Sequence, residues 1–319
     1  MKPNVLLTHA LLPEAMHFLA QQVDFEIGTD GVFFPKADLI RKIRDKVGLL
    51  TLLTVDIDRE VMDAAPRLKV IANCAVGYDN IDVGYAKTKG ILITNTPGVL
   101  TETTAELTWA LILAVARKVP QADRFTRSGA FAGWRLDLFL GRELNGKRMG
   151  IIGMGRIGQA VAFRARGFGM EVVYHDPRRL TADEERNLQT SYLPLDELLG
   201  TSDVVSVHAT MTEGTHHLLS REKLALLKKE VILINAARGP IIDEAALADA
   251  LENGRIWGAG LDVYEREPAV EKRLMSLDNV VLLPHIGSAT YETRLKMAMM
   301  AAKNLVIALG GGVPPNPVL

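Results

Sequence analysis

Short apolar runs alternate with longer segments of helical period along the whole chain. Val5–Thr8, Val23–Ile27, Leu49–Leu53, Lys69–Asn73 and Ile91–Thr94 form a first set of expected strands. Met149–Ile152, Glu171–His175, Val204–His208, Val231–Asn235, Gly258–Leu261 and Val280–Leu283 form a second. Helical stretches such as Asp38–Lys46, Arg156–Phe168 and Ala245–Asn253 fall between them. Strand–helix–strand alternation predicts parallel sheets covered by helices on both faces, an α/β fold. Two sets of five and six strands fit two doubly wound domains better than one giant sheet. The length of 319 residues agrees, at about 150 residues per domain. Thr96-Pro97-Gly98 is a turn signal that marks the boundary, and a long helix is expected from Thr101 to about Lys118, with Glu102 on the positive end of its dipole. Pro120 to Lys147 reads as irregular, either an arm that packs on a partner or a functional lid.

Charge and cysteine usage narrow the setting. Lys and Arg number 37 against 38 Asp and Glu, and no basic block stands apart, which argues against nucleic acid or an anionic membrane as the main partner. Cys74 is the single cysteine, so no internal disulfide can form and a reducing compartment is expected. Its apolar surroundings, Val70 to Val76, suit a buried inert thiol rather than a nucleophile. Pro13, Glu14 and His9 interrupt the apolar residues near the N-terminus, so no secretory signal is expected. The most apolar run, Trp109 to Ala116, is too short for a bilayer, which needs about 20 residues. A cytoplasmic protein without a metal site is the expectation.

The second strand set opens on Gly153-Met154-Gly155-Arg156-Ile157-Gly158, directly after an apolar strand and directly before a helix. A bare G-x-G-x-x-G is weak, but here a further strand follows and ends at Asp176. Gly153 suits the tight turn, Gly155 a close approach to pyrophosphate, and Gly158 close packing of helix on strand. Asp176 can accept hydrogen bonds from an adenosine ribose. It favours NAD, while Arg178 and Arg179 keep NADP open. A methyltransferase or flavoprotein shares this fingerprint, so the reaction has to be argued from other residues.

Three polar residues follow three successive strands of that set: Arg238 after Val231–Asn235, Glu267 after Gly258–Leu261, and His285 after Val280–Leu283. In open α/β sheets ligands bind beyond the carboxyl ends of the strands. Arg can grip a carboxylate through two parallel hydrogen bonds and polarise a neighbouring carbonyl. His can deliver a proton, with a carboxylate fixing its ring. On spacing alone the trio equally suits surface ion pairs and a solvated charge cluster.

The glycine motif, Asn235-Ala236-Ala237-Arg238-Gly239, Gly260-Leu261-Asp262-Val263, Leu283-Pro284-His285-Ile286-Gly287 and, earlier, Ala75-Val76-Gly77-Tyr78-Asp79-Asn80-Ile81-Asp82 closely resemble the D-isomer-specific 2-hydroxyacid dehydrogenases. Within that family the chain is most similar to the glyoxylate/hydroxypyruvate reductases, on Leu52-Leu53-Thr54, Asp63 to Leu68, and Trp134. The resemblance implies two Rossmann-like domains with the active site in the cleft between them. Residues 1–98 and 286–319 would form a discontinuous substrate domain, and 99–285 the NAD(P) domain. It implies catalysis by Arg238, Glu267 and His285. Cofactor contacts are implied at Thr104, Gly153, Gly155, Arg156, Ile157, Gly158, Asp176, His208, Ala209, Thr212, Ala236, Ala237 and Asp262. Substrate contacts are implied at Leu53, Val76, Gly77, Trp134, Arg238 and His285. A homodimer is implied too, with an arm Trp reaching the partner's site. Small 2-keto acids, glyoxylate and hydroxypyruvate first, are the implied substrates. D-Lactate or phosphoglycerate dehydrogenases are the neighbouring alternatives, and a cofactor-sensing corepressor the alternative from another class. Thr210 stands where the family often has Pro, a difference of loop stiffness more than chemistry.

Overall fold

The structure, a computed structural model, describes residues 1–31 and 33–318. Among them, twelve strands form two parallel sheets. β1 (Asn4–Leu7), β2 (Asp24–Ile27), β3 (Gly48–Thr51), β4 (Val70–Asn73) and β5 (Leu92–Thr94) make the first, in the order β2-β1-β3-β4-β5. The second holds β6 (Arg148–Ile152), β7 (Glu171–His175), β8 (Thr190–Tyr192), β9 (Val204–Val207), β10 (Ile232–Asn235), β11 (Gly258–Leu261) and β12 (Val280–Leu282), in the order β12-β11-β10-β9-β6-β7-β8. One rung of the second sheet runs Gly150–Val205–Leu233–Ala259–Val280. Both orders are doubly wound: the chain leaves its first strand to one side, then crosses back to the other, and the crevice at that reversal is where such sheets bind ligands.

The central strands, such as β3, β4 and β10, are mostly apolar and fully buried because both faces are covered. In β10, Leu233 joins one core with Ile152, Val205 and Val207, while Ile232 and Ile234 join the opposite one with Met149 and Ile151. The first sheet behaves alike: Leu6, Leu49 and Ile71 face one layer, and Val5, Leu7, Leu50, Val70 and Ala72 face the other. That second layer is closed by the C-terminal helix Tyr291–Leu309 through Met297, Ala301, Ala302 and Leu305, a stripe at helical spacing.

The chain divides into two compact units, Met1–Leu100 with Ser288–Leu319, and Thr101–Gly287. Each crossing lies two residues beyond the expected boundary. Val99 and Leu100 pack into the first unit's core, and the N–H groups of Ile286 and Gly287 are bound by Asp262 of the second. Two expectations are corrected. Residues Val119–Arg127 form a helix rather than irregular chain, entered through Lys118 in the left-handed conformation (φ 53). Pro120 does not prevent it, because the first turn of a helix has no use for that N–H. β8 was not anticipated, since Thr190-Ser191-Tyr192 carries too little apolar signal. No helix among the described residues is long and apolar enough to cross a membrane.

Candidate active site

β6 ends in the glycine loop. Gly153 has φ +94, and a Cβ there would lie 2.5 Å from the Ala209 N and 2.6 Å from the His208 carbonyl carbon. At Gly158 a Cβ would meet the Gly153 carbonyl oxygen at 2.2 Å, so neither position admits a side chain. The loop is drawn in by β7 and β9: the N–H groups of Gly153 and His208 donate to the His175 and Ile152 carbonyls at 2.8 and 2.7 Å. Gly155 caps the helix Arg156–Ala165 without a capping side chain, and nothing would lie within 4 Å of a Cβ on it. A bare helix N-terminus with open space before it is an anion site. Asp176 closes the loop from β7, its carboxylate accepting the Met154 N–H at 2.8 Å and the Arg178 N–H at 2.8 Å. These residues fit a dinucleotide: Arg156 and Ile157 would offer N–H groups to its pyrophosphate and Asp176 a carboxylate to a ribose.

His208 and Ala209 lie against this turn. The His208 Nε2 pairs with Ser206 Oγ at 2.8 Å and its Nδ1 is sealed from solvent without a partner, so burial lowers its pKa to about 4 and keeps the ring neutral. Thr212 is further along and exposed, capping the turn Glu213–Thr215 through reciprocal bonds with Thr215. Ala236 and Ala237 are half-buried beyond β10, where the Asn235 side chain accepts the Ala237 N–H and donates to the Arg238 carbonyl.

The carboxyl ends of the adjacent strands β10, β11 and β12 carry Arg238, Glu267 and His285. The His285 Nδ1 lies 2.8 Å from Glu267 Oε2, and the two side chains are 25% and 32% exposed, within reach of solvent or substrate. Burial pushes the Glu267 carboxyl up. The His285 bond and charge, the Tyr264 N–H and the Arg238 charge outweigh it and hold the group below the usual carboxylate range. Glu267 is therefore ionised at neutral pH and can only accept. The His285 Nδ1 must then carry the hydrogen, which leaves Nε2 to face a reactant.

Backbone packing locks this edge. A Cβ on Gly239 would fall 1.8 Å from the Tyr264 carbonyl carbon, so the Arg238 turn lies directly on the segment leading to Glu267. Tyr264 donates its N–H to Glu267 Oε1 at 3.0 Å and its hydroxyl to the Leu283 carbonyl at 2.8 Å. Asp262, 1% exposed, accepts the N–H groups of Ile286 and Gly287 at 2.7 Å each. Burial pushes its carboxyl up against those bonds. In the structure Asp262 is thus a strut for the His285 loop, with Thr104 buried close to Gly287.

Sequence reasoning missed the supports. Asn235, Tyr264 and Glu244 hold the loops that carry Arg238, Glu267 and His285, and Glu244 accepts the N–H groups of Glu265 and Glu271 at 2.6 and 2.8 Å. An acid in the first turn of the expected helix was the only signal the sequence offered for Glu244, and it does not name its partners. Among the expected substrate residues, Val76 and Gly77 are half-buried in the loop after β4, Leu53 is half-buried after β3, and Trp134 is 81% exposed.

The profile of the family described as D-isomer specific 2-hydroxyacid dehydrogenase, NAD binding domain, matches residues 109–287. The chain is 47% identical to a glyoxylate reductase of Thermococcus onnurineus over 322 positions, covering 100% of this chain and 96% of the relative. It is 48% identical to a glyoxylate reductase of Aeropyrum pernix, covering 99% and 96%. A crystal structure from Thermus thermophilus superposes with a TM-score of 0.92 at 46% identity, covering 99% of this chain and 100% of that one. An NADPH-dependent glyoxylate/hydroxypyruvate reductase from Sinorhizobium meliloti, in complex with NADP and malonate, superposes at 0.87 with 34% identity, covering 100% and 97%. The chain belongs to the D-isomer-specific 2-hydroxyacid dehydrogenases and is an NAD(P)-dependent oxidoreductase of that family.

Proposed function

We propose that this enzyme reduces glyoxylate and hydroxypyruvate to glycolate and D-glycerate, and that NADH is its preferred cofactor. The observation that carries the reading is the 2.8 Å His285–Glu267 pair beside Arg238, on the sheet edge that also bears the glycine loop. When bound, the cofactor supplies the hydride that adds to the keto carbon. The His285 Nε2 gives its proton to the carbonyl oxygen, and Glu267 stabilises the charged ring beforehand. Arg238 holds the substrate carboxylate and polarises the carbonyl, while the N–H groups of Val76 and Gly77 take the same carboxylate. Leu53 and Trp134 restrict the group beyond C2.

Preference for NADH rests on Asp176, whose charge opposes a 2′-phosphate. Arg179 is engaged by Glu185 at 3.0 Å and lies over the Tyr192 ring, whereas Arg178, 82% exposed along its side chain, meets Glu184 only at 4.0 Å and is the more available cation. The same reading includes a homodimer, with Trp134 of each protomer serving its partner's site, and a cytoplasmic location. Steady-state kcat/KM across a panel of 2-keto acids, with NADH and NADPH, tests it. Glyoxylate and hydroxypyruvate should lead. Faster turnover of pyruvate or longer keto acids would overturn the substrate assignment.

A further inference from the structure

The loop after β4 is held by its carbonyls. The Ala75 carbonyl accepts the Thr96 N–H at 2.8 Å, the Val76 carbonyl the Asn95 Nδ2 at 2.8 Å, and the Gly77 carbonyl the Asn73 Nδ2 at 2.8 Å. In a trans peptide the C=O and the following N–H point in opposite directions. Each of these bonds therefore turns one N–H away from the protein donor: that of Val76, of Gly77 and of Tyr78. Among the described residues, no backbone group accepts from any of the three. Successive unpaired N–H groups form a concavity for an anion, and a carboxylate has about four lone-pair sites to fill it.

The donors are themselves fixed. Asn73 is fully buried; its Nδ2 also approaches Asn80 Oδ1 at 3.4 Å, while its Oδ1 has no partner. Asn73 is thus used for its donor end alone, which the isosteric Asp lacks. Asn80 in turn donates to the Leu52 and Val55 carbonyls at 3.3 and 3.0 Å, tying the Leu53 loop to the Gly77 loop. The Asn95 carbonyl accepts from the buried Asn304 of the C-terminal helix at 3.1 Å, and its N–H donates to the Asn316 carbonyl at 3.2 Å.

We propose that Asn73 and Asn95 are positioning residues that orient the N–H groups of Val76, Gly77 and Tyr78 toward the substrate carboxylate, with Tyr78 as a third donor. This rests on the reading that the loop binds that carboxylate.

The test is steady-state kinetics of Asn95→Ala and Asn73→Asp with glyoxylate and NADH, together with inhibition by oxamate, an unreactive carboxylate analogue. Loss of oriented donors to a charged group should raise KM by about ten-fold or more, with kcat changed less than about three-fold. The inhibition constant of oxamate should rise in parallel, with NADH affinity unchanged. Asn73→Asp should be the more severe, since its charge also repels the anion. The half-buried Asn95 carries the test if Asn73→Asp does not fold. KM and oxamate inhibition within two-fold of the parent, or a fall in kcat alone, would overturn the proposal. A parent enzyme that turns over no small 2-keto acid would instead sink the underlying functional reading.

Discussion

His285 adopts a left-handed backbone (φ 55), a conformation that costs a residue with a Cβ about 1–3 kcal/mol and persists only where its surroundings enforce it. Here the surroundings are the Glu267 carboxylate on one side and the Asp262 strut two residues on. His285→Ala should lower kcat by about 10²–10⁴, the usual worth of a general acid, while NADH binding measured by fluorescence is unchanged. Near-parental kcat across the pH range would move the proton donor elsewhere. Asp176 is a second residue whose single charge decides an outcome. Asp176→Ser should weaken use of NADH and improve use of NADPH, read as the ratio of the two kcat/KM values, because Arg178 could then meet a 2′-phosphate without an opposing carboxylate. An enzyme that already prefers NADPH would show that the arginines set the selectivity. Asp176 also holds the Met154 N–H, so the variant should loosen the glycine loop as well as recolour its charge.

At the scale of elements, the segment from Glu265 to Glu271 has no regular structure of its own and takes its shape from Glu244, which binds both of its ends. Glu244→Gln keeps the size of the side chain but replaces one acceptor by a donor facing a buried N–H. That mismatch should cost about 1–3 kcal/mol, visible as a lower urea midpoint. kcat should also fall as the segment that carries Glu267 loosens beside His285. A midpoint and kcat equal to the parent's would remove Glu244 from the support. This is the kind of feature that a sequence conceals. Strands β9 to β11 announce themselves through short apolar runs, broken in β9 only by Ser206, and the trio Arg238, Glu267 and His285 through its place just past them. Glu244, Asn235 and Tyr264 act through partners set by the fold, and nothing in their local sequence names those partners. The helix Val119–Arg127 was hidden for a different reason: Pro120 reads as a breaker until its position in the first turn is known.

For the molecule as a whole, the apolar surface on the arm is the main unspent resource. Phe131, Trp134, Leu136 and Leu140 are 54%, 81%, 81% and 62% exposed within a stretch of ten residues, more than a surface of scattered apolar side chains presents. If the proposed dimer forms through this surface, Trp134→Ser combined with Leu136→Ser and Leu140→Ser should convert it to a monomer in sedimentation velocity. A parent chain that sediments as a monomer would refute the dimer. The sheet order has a further effect, on durability. β12 is an edge strand of three residues that pairs with β11 alone, and His285 hangs from its end. Local opening takes far less free energy than melting the domain, and His285, the proposed proton donor, hangs from one of the sheet's two short edges, retained there by the Tyr264 hydroxyl and the Asp262 carboxylate. Hydrogen exchange should be faster at Val281 and Leu282 than at Val205 and Leu233. In rising urea, activity should fade before the circular dichroism of the helices changes, so that the enzyme's working lifetime is set by one short strand and not by the stability of the fold.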